Sequence, residues 1–281
     1  MSKYDNGFNK MDEHPPLLTF AYIGTDDVYL KKLAYLAKLA EPENWRYENP
    51  NWINKPDRCE FGVLYQYIHH TFTKALEEGG VLETETHAIF NTGLITTMGE
   101  EIFMFFEPNK FHESNNRLPK WFFTTFLEES HHEIPHNVRG KLPTHVNYFK
   151  DSPQDLYFDP TLTIHGNTRH IVEDGYERIP KLFQSLPKET LITILEGAKT
   201  VLQKRILRNN RLAVPQYYNK EVMYLLPLKL GDDIIIPLAV ELNEDSYRIN
   251  TILTNDMAYC NARLVMKPES NWLKTPGDLS K

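Results

Sequence analysis

Cysteine is nearly absent from this chain: Cys59 and Cys260 are the only two in 281 residues, far apart and without CxxC spacing. That excludes a disulfide framework and a cysteine zinc site, and it favours a reducing, cytoplasmic setting. Long hydrophobic runs are lacking as well. The most apolar stretch, Ile234 to Leu242, is interrupted by Pro237 and is far too short to span a bilayer as a helix. Met1 to Lys10 is polar and lacks the core of a signal peptide, so a flexible tail over residues 1–16 and no membrane partner are expected. Basic charge is not in excess: 31 Lys and Arg face 38 Asp and Glu, for a net charge of -7. With no global field to attract nucleic acid, any RNA or phosphate binding has to come from a local basic patch. Walker A, GxGxxG, HExxH, GxSxG and the kinase signatures are also missing, which removes those enzyme classes without removing enzymes in general. The sequence leaves the cofactor open.

What is present is the composition of a folded globular protein, with 41% hydrophobic and 25% charged residues. Leu30, Leu33, Leu36, Ala37 and Ala40 recur near helical spacing behind a Thr25 or Asp26 cap. A second helix is predicted from about Glu60 to Glu78, with Phe61, Leu64, Tyr65, Ile68, Phe72 and Leu76 inward and Gly79-Gly80 as its stop. Val81-Leu82, Ala88 to Phe90, Ile102 to Phe106, Trp121 to Leu127 and Leu162 to Ile164 read as strands, and 109–119 and 128–143 as polar loops. The clearest helix follows Ser185, where Leu191, Ile194, Leu195, Ala198, Leu202 and Ile206 make an apolar stripe. Beyond it, Val222 to Leu230, Ile234 to Leu242 and Arg248 to Thr254 are β-rich, and Gly231-Asp232-Asp233 reads as the turn of an antiparallel hairpin. No linker, repeat or low-complexity block divides the chain. A single α+β domain over 17–275 is therefore expected, with N-terminal helices, a long central helix, a mainly antiparallel sheet and a C-terminal tail over 276–281.

Three groups of residues carry chemistry beyond ordinary texture. Lys199, Lys204, Arg205, Arg208 and Arg211 form a basic run with no acid in it. Such a run either complements the exposed carbonyls of a helix C-terminus or binds phosphate. Its continuation through Asn209, Asn210, Gln216, Tyr217 and Tyr218 adds amide hydrogen bonds and aromatic faces, which base recognition needs. The second group is Asn91-Thr92-Gly93 and the third runs from Asp256 to Arg263, with His170 and Arg178 as further members. These read either as a ligand site or as a buried polar network fixing loops to the core. His131, His132 and His136 lie close together in sequence, but Pro135 breaks the helix that would align them, and a solvated loop is the simpler reading. His69-His70-Thr71 offers one His-x-Thr element without the second that a two-histidine phosphoesterase requires, so a helix flank is expected there. Gly231-Asp232-Asp233 as a pair of metal-binding carboxylates is set below the turn reading.

At these residues the chain resembles the family catalogued as domain of unknown function 3825, over about Leu18 to Leu273. The resemblance is carried in order by Phe90-Asn91-Thr92-Gly93-Leu94, His170-Ile171, Arg178-Ile179-Pro180, Arg208-Asn209, Val214 to Tyr218, Leu225 to Leu228, Thr251-Ile252-Leu253, Asp256 to Leu264 and Trp272-Leu273. The chain departs from the pattern at Asn210 and Asn255. Relatives can carry this domain beside cold-shock or LOTUS-type RNA-binding modules, so the resemblance implies a role with RNA. From side-chain chemistry, Arg208, Arg211 and Arg263 would hold phosphate, with Arg178 and Thr92 beside them. Asn91, Asn209, Gln216 and Asn261 would orient sugar or base, and Tyr217 or Tyr259 would stack. His170 or Asp256 would be the catalytic acid or base of an RNA-processing phosphoester enzyme. The alternatives are a non-catalytic module that captures a small nucleotide signal or metabolite, and a structural or interaction protein.

Overall fold

The computed structural model describes residues 15–47, 59–149, 153–231 and 234–274. These fall into two compact units, one ending at Asn147 and the other beginning at Tyr148, each with its own five-stranded sheet. The fold is α+β: both sheets are mixed and mostly antiparallel, and eight α-helices occur among the described residues.

The N-terminal unit runs α1 (Pro16–Phe20), β1 (Ala21–Tyr22), α2 (Asp26–Leu39), α3 (Gly62–Glu77), β2 (Val81–Glu83), β3 (Ala88–Ile95), β4 (Glu101–Pro108), β5 (Trp121–Glu128) and α4 (His136–Arg139). Its strand order is β1-β5-β4-β3-β2, with only the β1–β5 pair parallel. Ile102 to Phe106 of β4 are all buried, as expected of a central strand covered on both faces. On one face Phe90 and Phe106 pack on Phe72, and Phe106 also meets Phe20. On the other, Ile89, Phe103, Phe105 and Leu127 are covered by Ile134 and Val138. The stretch 128–143, expected to be a polar loop, is thus partly structural, because two apolar residues four apart reach the sheet. His69 departs from expectation too, being fully buried in α3 instead of lying on its flank.

The C-terminal unit runs β6 (Thr163–His165), α5 (Thr168–Gly175), α6 (Lys181–Gln184), α7 (Lys188–Ile206), β7 (Val214–Tyr218), β8 (Glu221–Lys229), β9 (Ile235–Asn243), β10 (Ser246–Ile252) and α8 (Asn255–Val265). The strand order is β6-β10-β9-β8-β7, antiparallel except for β6–β10. The predicted stripe of α7 buries Leu191, Leu195, Leu202 and Ile206 in one cluster with Leu226, Leu238, Val240, Tyr247 and Ile249. The opposite face of the sheet carries α8, which packs on β7 and β9. Neither α5 nor α8 was predicted as a helix. α8 buries eight consecutive residues from Ala258 to Val265, so it presents no polar face and no readable period. The β8–β9 hairpin is as expected, although Asp232 and Asp233 of its turn lie outside the described residues. So do the expected tails, apart from Pro15 and Pro16. Among the described residues no helix is long and apolar enough to cross a membrane.

Candidate functional site

The basic run that closes α7 leaves its charges in solvent. Arg208 donates from Nη1 to the Lys204 carbonyl at 2.6 Å, satisfying an end carbonyl of its own helix. Asn209 accepts from the Arg211 amide at 3.2 Å and so caps the short 3-10 turn Asn210–Leu212. Arg211, Lys204 and Arg205 are exposed, whereas Lys199 turns to Glu196 at 2.7 Å. Arg178 is a cross-link: its Nη1 donates to the Ile252 carbonyl at 2.8 Å and lies 3.2 Å from Thr251 Oγ1. His170 Nε2 lies 3.2 Å from Asp174 Oδ2 one turn along α5, both side chains largely exposed. α5 packs its Ile171 and Val172 into the α7 side of the sheet.

Asp256 stands in the first turn of α8, behind Thr254, whose side chain accepts from the Met257 amide. Tyr259 and Arg263, one turn apart, are both buried, Arg263 with only 8% of its surface exposed. Burial, with the Asp256 carboxylate second, pushes the Cys260 thiol well above its usual range, which leaves it protonated and inert. Tyr217 packs edge-on against Tyr148, with ring centres 4.5 Å apart. Asn91 and Thr92 lie in the N-terminal unit. Asn91 donates to the Pro143 carbonyl at 3.0 Å and accepts from the Gly93 amide at 2.9 Å, and Thr92 donates to the Ile102 carbonyl at 2.6 Å.

Of the predicted residues, Gln216 and Asn261 are brought into direct contact. Asn261 Nδ2 donates to Gln216 Oε1 at 2.9 Å, and both residues are fully buried. Strand register then extends a polar row from Gln216 across the α8 face. Gln216 lies opposite Met223, Tyr224 opposite Val240, Arg248 opposite Glu241, and Arg248 again opposite His165. Because alternate residues share a face, Gln216, Met223, Glu241, Arg248 and His165 form one line across all five strands. Glu241 Oε2 accepts from Arg248 Nη2 at 3.0 Å and from Asn250 Nδ2 at 3.0 Å. His165 Nε2 pairs with Thr163 Oγ1 at 2.7 Å. Gln216 Nε2 and Asn250 Oδ1 are shielded from solvent and have no hydrogen-bond partner among the described residues.

Sequence reasoning missed Glu241, Arg248, Asn250 and His165. Each looks like an ordinary outward residue of an alternating strand, and only the register gathers them. Chemically, the line offers a carboxylate that can take a proton, a guanidinium that can hold a phosphate and an imidazole that can give a proton. Asn261→Ala is expected to cost about 2 kcal/mol in a denaturant melt, since it strips the buried Gln216 amide of its remaining partner.

A family model described as Domain of unknown function (DUF3825) matches residues 36–272. The chain belongs to this family. The DUF3825 match includes every candidate site residue and runs through both compact units. No curated protein and no solved structure matches the chain.

Proposed function

We propose that this DUF3825 protein is a cytoplasmic RNA- or nucleotide-binding protein whose site is the polar line on the α8 face of the C-terminal sheet. One observation carries the reading: a fully buried Gln216 with an unmatched amide donor stands at the end of a line containing Glu241, Arg248 and His165. A buried donor without a partner is costly, and a ligand that supplies an acceptor removes that cost. Base edges and sugar hydroxyls present such acceptors, while Arg248 matches a phosphate. The exposed basic segment Lys204 to Arg211 adds the local positive field that the net charge lacks. We also read the two compact units as parts of one α+β domain, because the family match continues unbroken from one into the other.

The same line fits phosphoester chemistry on RNA. Glu241 takes the proton of a ribose 2′-hydroxyl and the 2′-oxygen bonds to phosphorus. The P–O5′ bond then breaks, and His165 gives a proton to the leaving O5′ while Arg248 holds the non-bridging oxygens. The products are a 2′,3′-cyclic phosphate and a 5′-hydroxyl. Glu241 and His165 suit this step better than His170, which sits on a helix of the opposite face beside Asp174.

The test uses an RNA pool labelled separately at its two ends, resolved on native and denaturing gels. The wild-type chain is expected to bind, and Arg248→Met to bind roughly tenfold or more weakly, as loss of a charge-assisted phosphate contact implies. Products that disappear in Glu241→Gln and His165→Gln establish processing. Intact RNA recovered from a stable complex establishes a binding module. Absence of any complex with RNA or with free nucleotides sinks the reading.

A further inference from the structure

The N-terminal unit carries an aromatic cleft that the polar line does not explain. On the sheet face covered by Ile134 and Val138, that cover reaches Phe103 and Phe105 and stops. The next row of the same face is Glu107 of β4, Phe122 of β5 and Tyr22 of β1, which stand in register. Tyr22 keeps 47% of its surface in solvent and Phe122 38%. Their ring centres are 6.0 Å apart, with planes inclined by 32°.

The loop from β4 to β5 forms the other wall. It closes a cleft of about 480 Å³ lined by Tyr22, Glu107, Lys110, Phe111, Leu118 and Phe122, among others. Phe111 is 70% exposed, yet it is held on a fixed turn. The buried Asn109 side chain accepts from the Phe111 amide at 3.1 Å and donates to the Pro119 carbonyl at 2.9 Å. The Asn115 amide closes back on the Phe111 carbonyl at 3.1 Å. Three aromatic rings displayed on a rigid frame form a preorganised surface, which lowers the ordering cost of binding.

We infer that this cleft binds one nucleotide, with its base stacked on Phe122 and Tyr22 under Phe111 and its phosphate facing Lys110. The volume suits a ligand of that size. Exposed rings on a sheet face stack bases of any sequence. Glu107 supplies an acceptor for ribose hydroxyls or an exocyclic amine, and Lys110 a cation for the phosphate. The inference stands on the cleft alone and names a site in the unit that does not hold the polar line.

The full chain is titrated with 2-aminopurine riboside 5′-monophosphate and with a short single-stranded RNA carrying one 2-aminopurine, following emission. Stacking quenches that emission. Phe111→Ala and Phe122→Ala are expected to weaken binding about tenfold each, Phe111→Trp to retain it, and Lys110→Ala to weaken the monophosphate but not the nucleoside. Phe111 is exposed enough that its replacement should leave the melting temperature unchanged, so lost binding reads as lost contact. Quenching by the monophosphate identifies a free nucleotide as the ligand, and quenching by the RNA alone identifies an unpaired base of a strand. Affinity unchanged in the folded Phe111→Ala, Phe122→Ala double variant overturns the site. Tetramethylammonium displacing the probe would also overturn it, because the rings would then form a cage for cations. RNA binding that fails in Arg248→Met but survives in the double variant would reject the cleft and keep the polar line.

Discussion

Acidification from pH 6.5 to pH 4 is expected to remove about 3 kcal/mol of stability through His69 alone. The imidazole is fully buried, with its ring centre 4.4 Å from that of Tyr65 and 5.8 Å from that of Tyr29, and neither ring nitrogen has a hydrogen-bond partner among the described residues. Burial first, and the neighbouring His70 second, lower its pKa from 6.5 to about 3. Above pH 6.5 the folded and unfolded chains both hold a neutral ring, so the group does not influence folding. As the pH falls through 6.5 the unfolded chain takes up a proton that the native state refuses until about pH 3. Stability is therefore lost across that window and levels off below it. Urea melts of the wild type and of His69→Phe at pH 7, 5.5 and 4 test this directly. The variant should gain on the wild type by about 3 kcal/mol between the first and last conditions. A gap that stays constant with pH would mean that the ring already carries its proton or reaches water.

Much of the architecture was legible because hydrophobic period reports the helices and strands that bury one face. α2 begins at Asp26 behind Thr25, and α7 buries the leucines its stripe predicted. α8 escaped for the opposite reason, since a helix covered on nearly every side has no stripe to detect. The segment over Ile134 and Val138 escaped because two apolar residues amid histidines and glutamates give too short a signal, although they complete one face of a sheet.

The candidate site was legible only in fragments. Gln216 and Asn261 stood out because amides amid apolar residues are unusual, and the structure pairs them. Glu241, Arg248 and His165 could not stand out, because what gathers them is strand register, and register is set by long-range pairing. The basic run was recognised as basic, and Arg208 fulfils the helix-end role with its Lys204 contact while its neighbours stay in solvent. Asn91-Thr92-Gly93 has the same polar texture in a distorted stretch of β3, where Asn91 reaches the Pro143 carbonyl and the Gly93 amide, and Thr92 the Ile102 carbonyl.

That stretch gives the second large effect: Gly93→Ala is expected to destabilise the protein by about 3 kcal/mol while leaving RNA affinity unchanged in the chain that remains folded. Gly93 has a φ of +73°, in the left-handed region, at the point where the β3–β4 register shifts between Asn91 and Ile95. A Cβ there would stand 2.7 Å from Tyr67 Oη. That hydroxyl cannot simply retreat, since it donates to the Thr92 carbonyl at 2.9 Å in the buried interior. Two costs therefore combine, backbone strain and a steric clash, and a double-mutant cycle separates them. Tyr67→Phe removes the crowding oxygen, so the Tyr67→Phe, Gly93→Ala chain should be less destabilised than the two single changes summed, by about 1 kcal/mol. What persists is the positive φ. Were Asn91-Thr92-Gly93 also a ligand site, the Gly93→Ala chain that remains folded would bind RNA more weakly than the wild type.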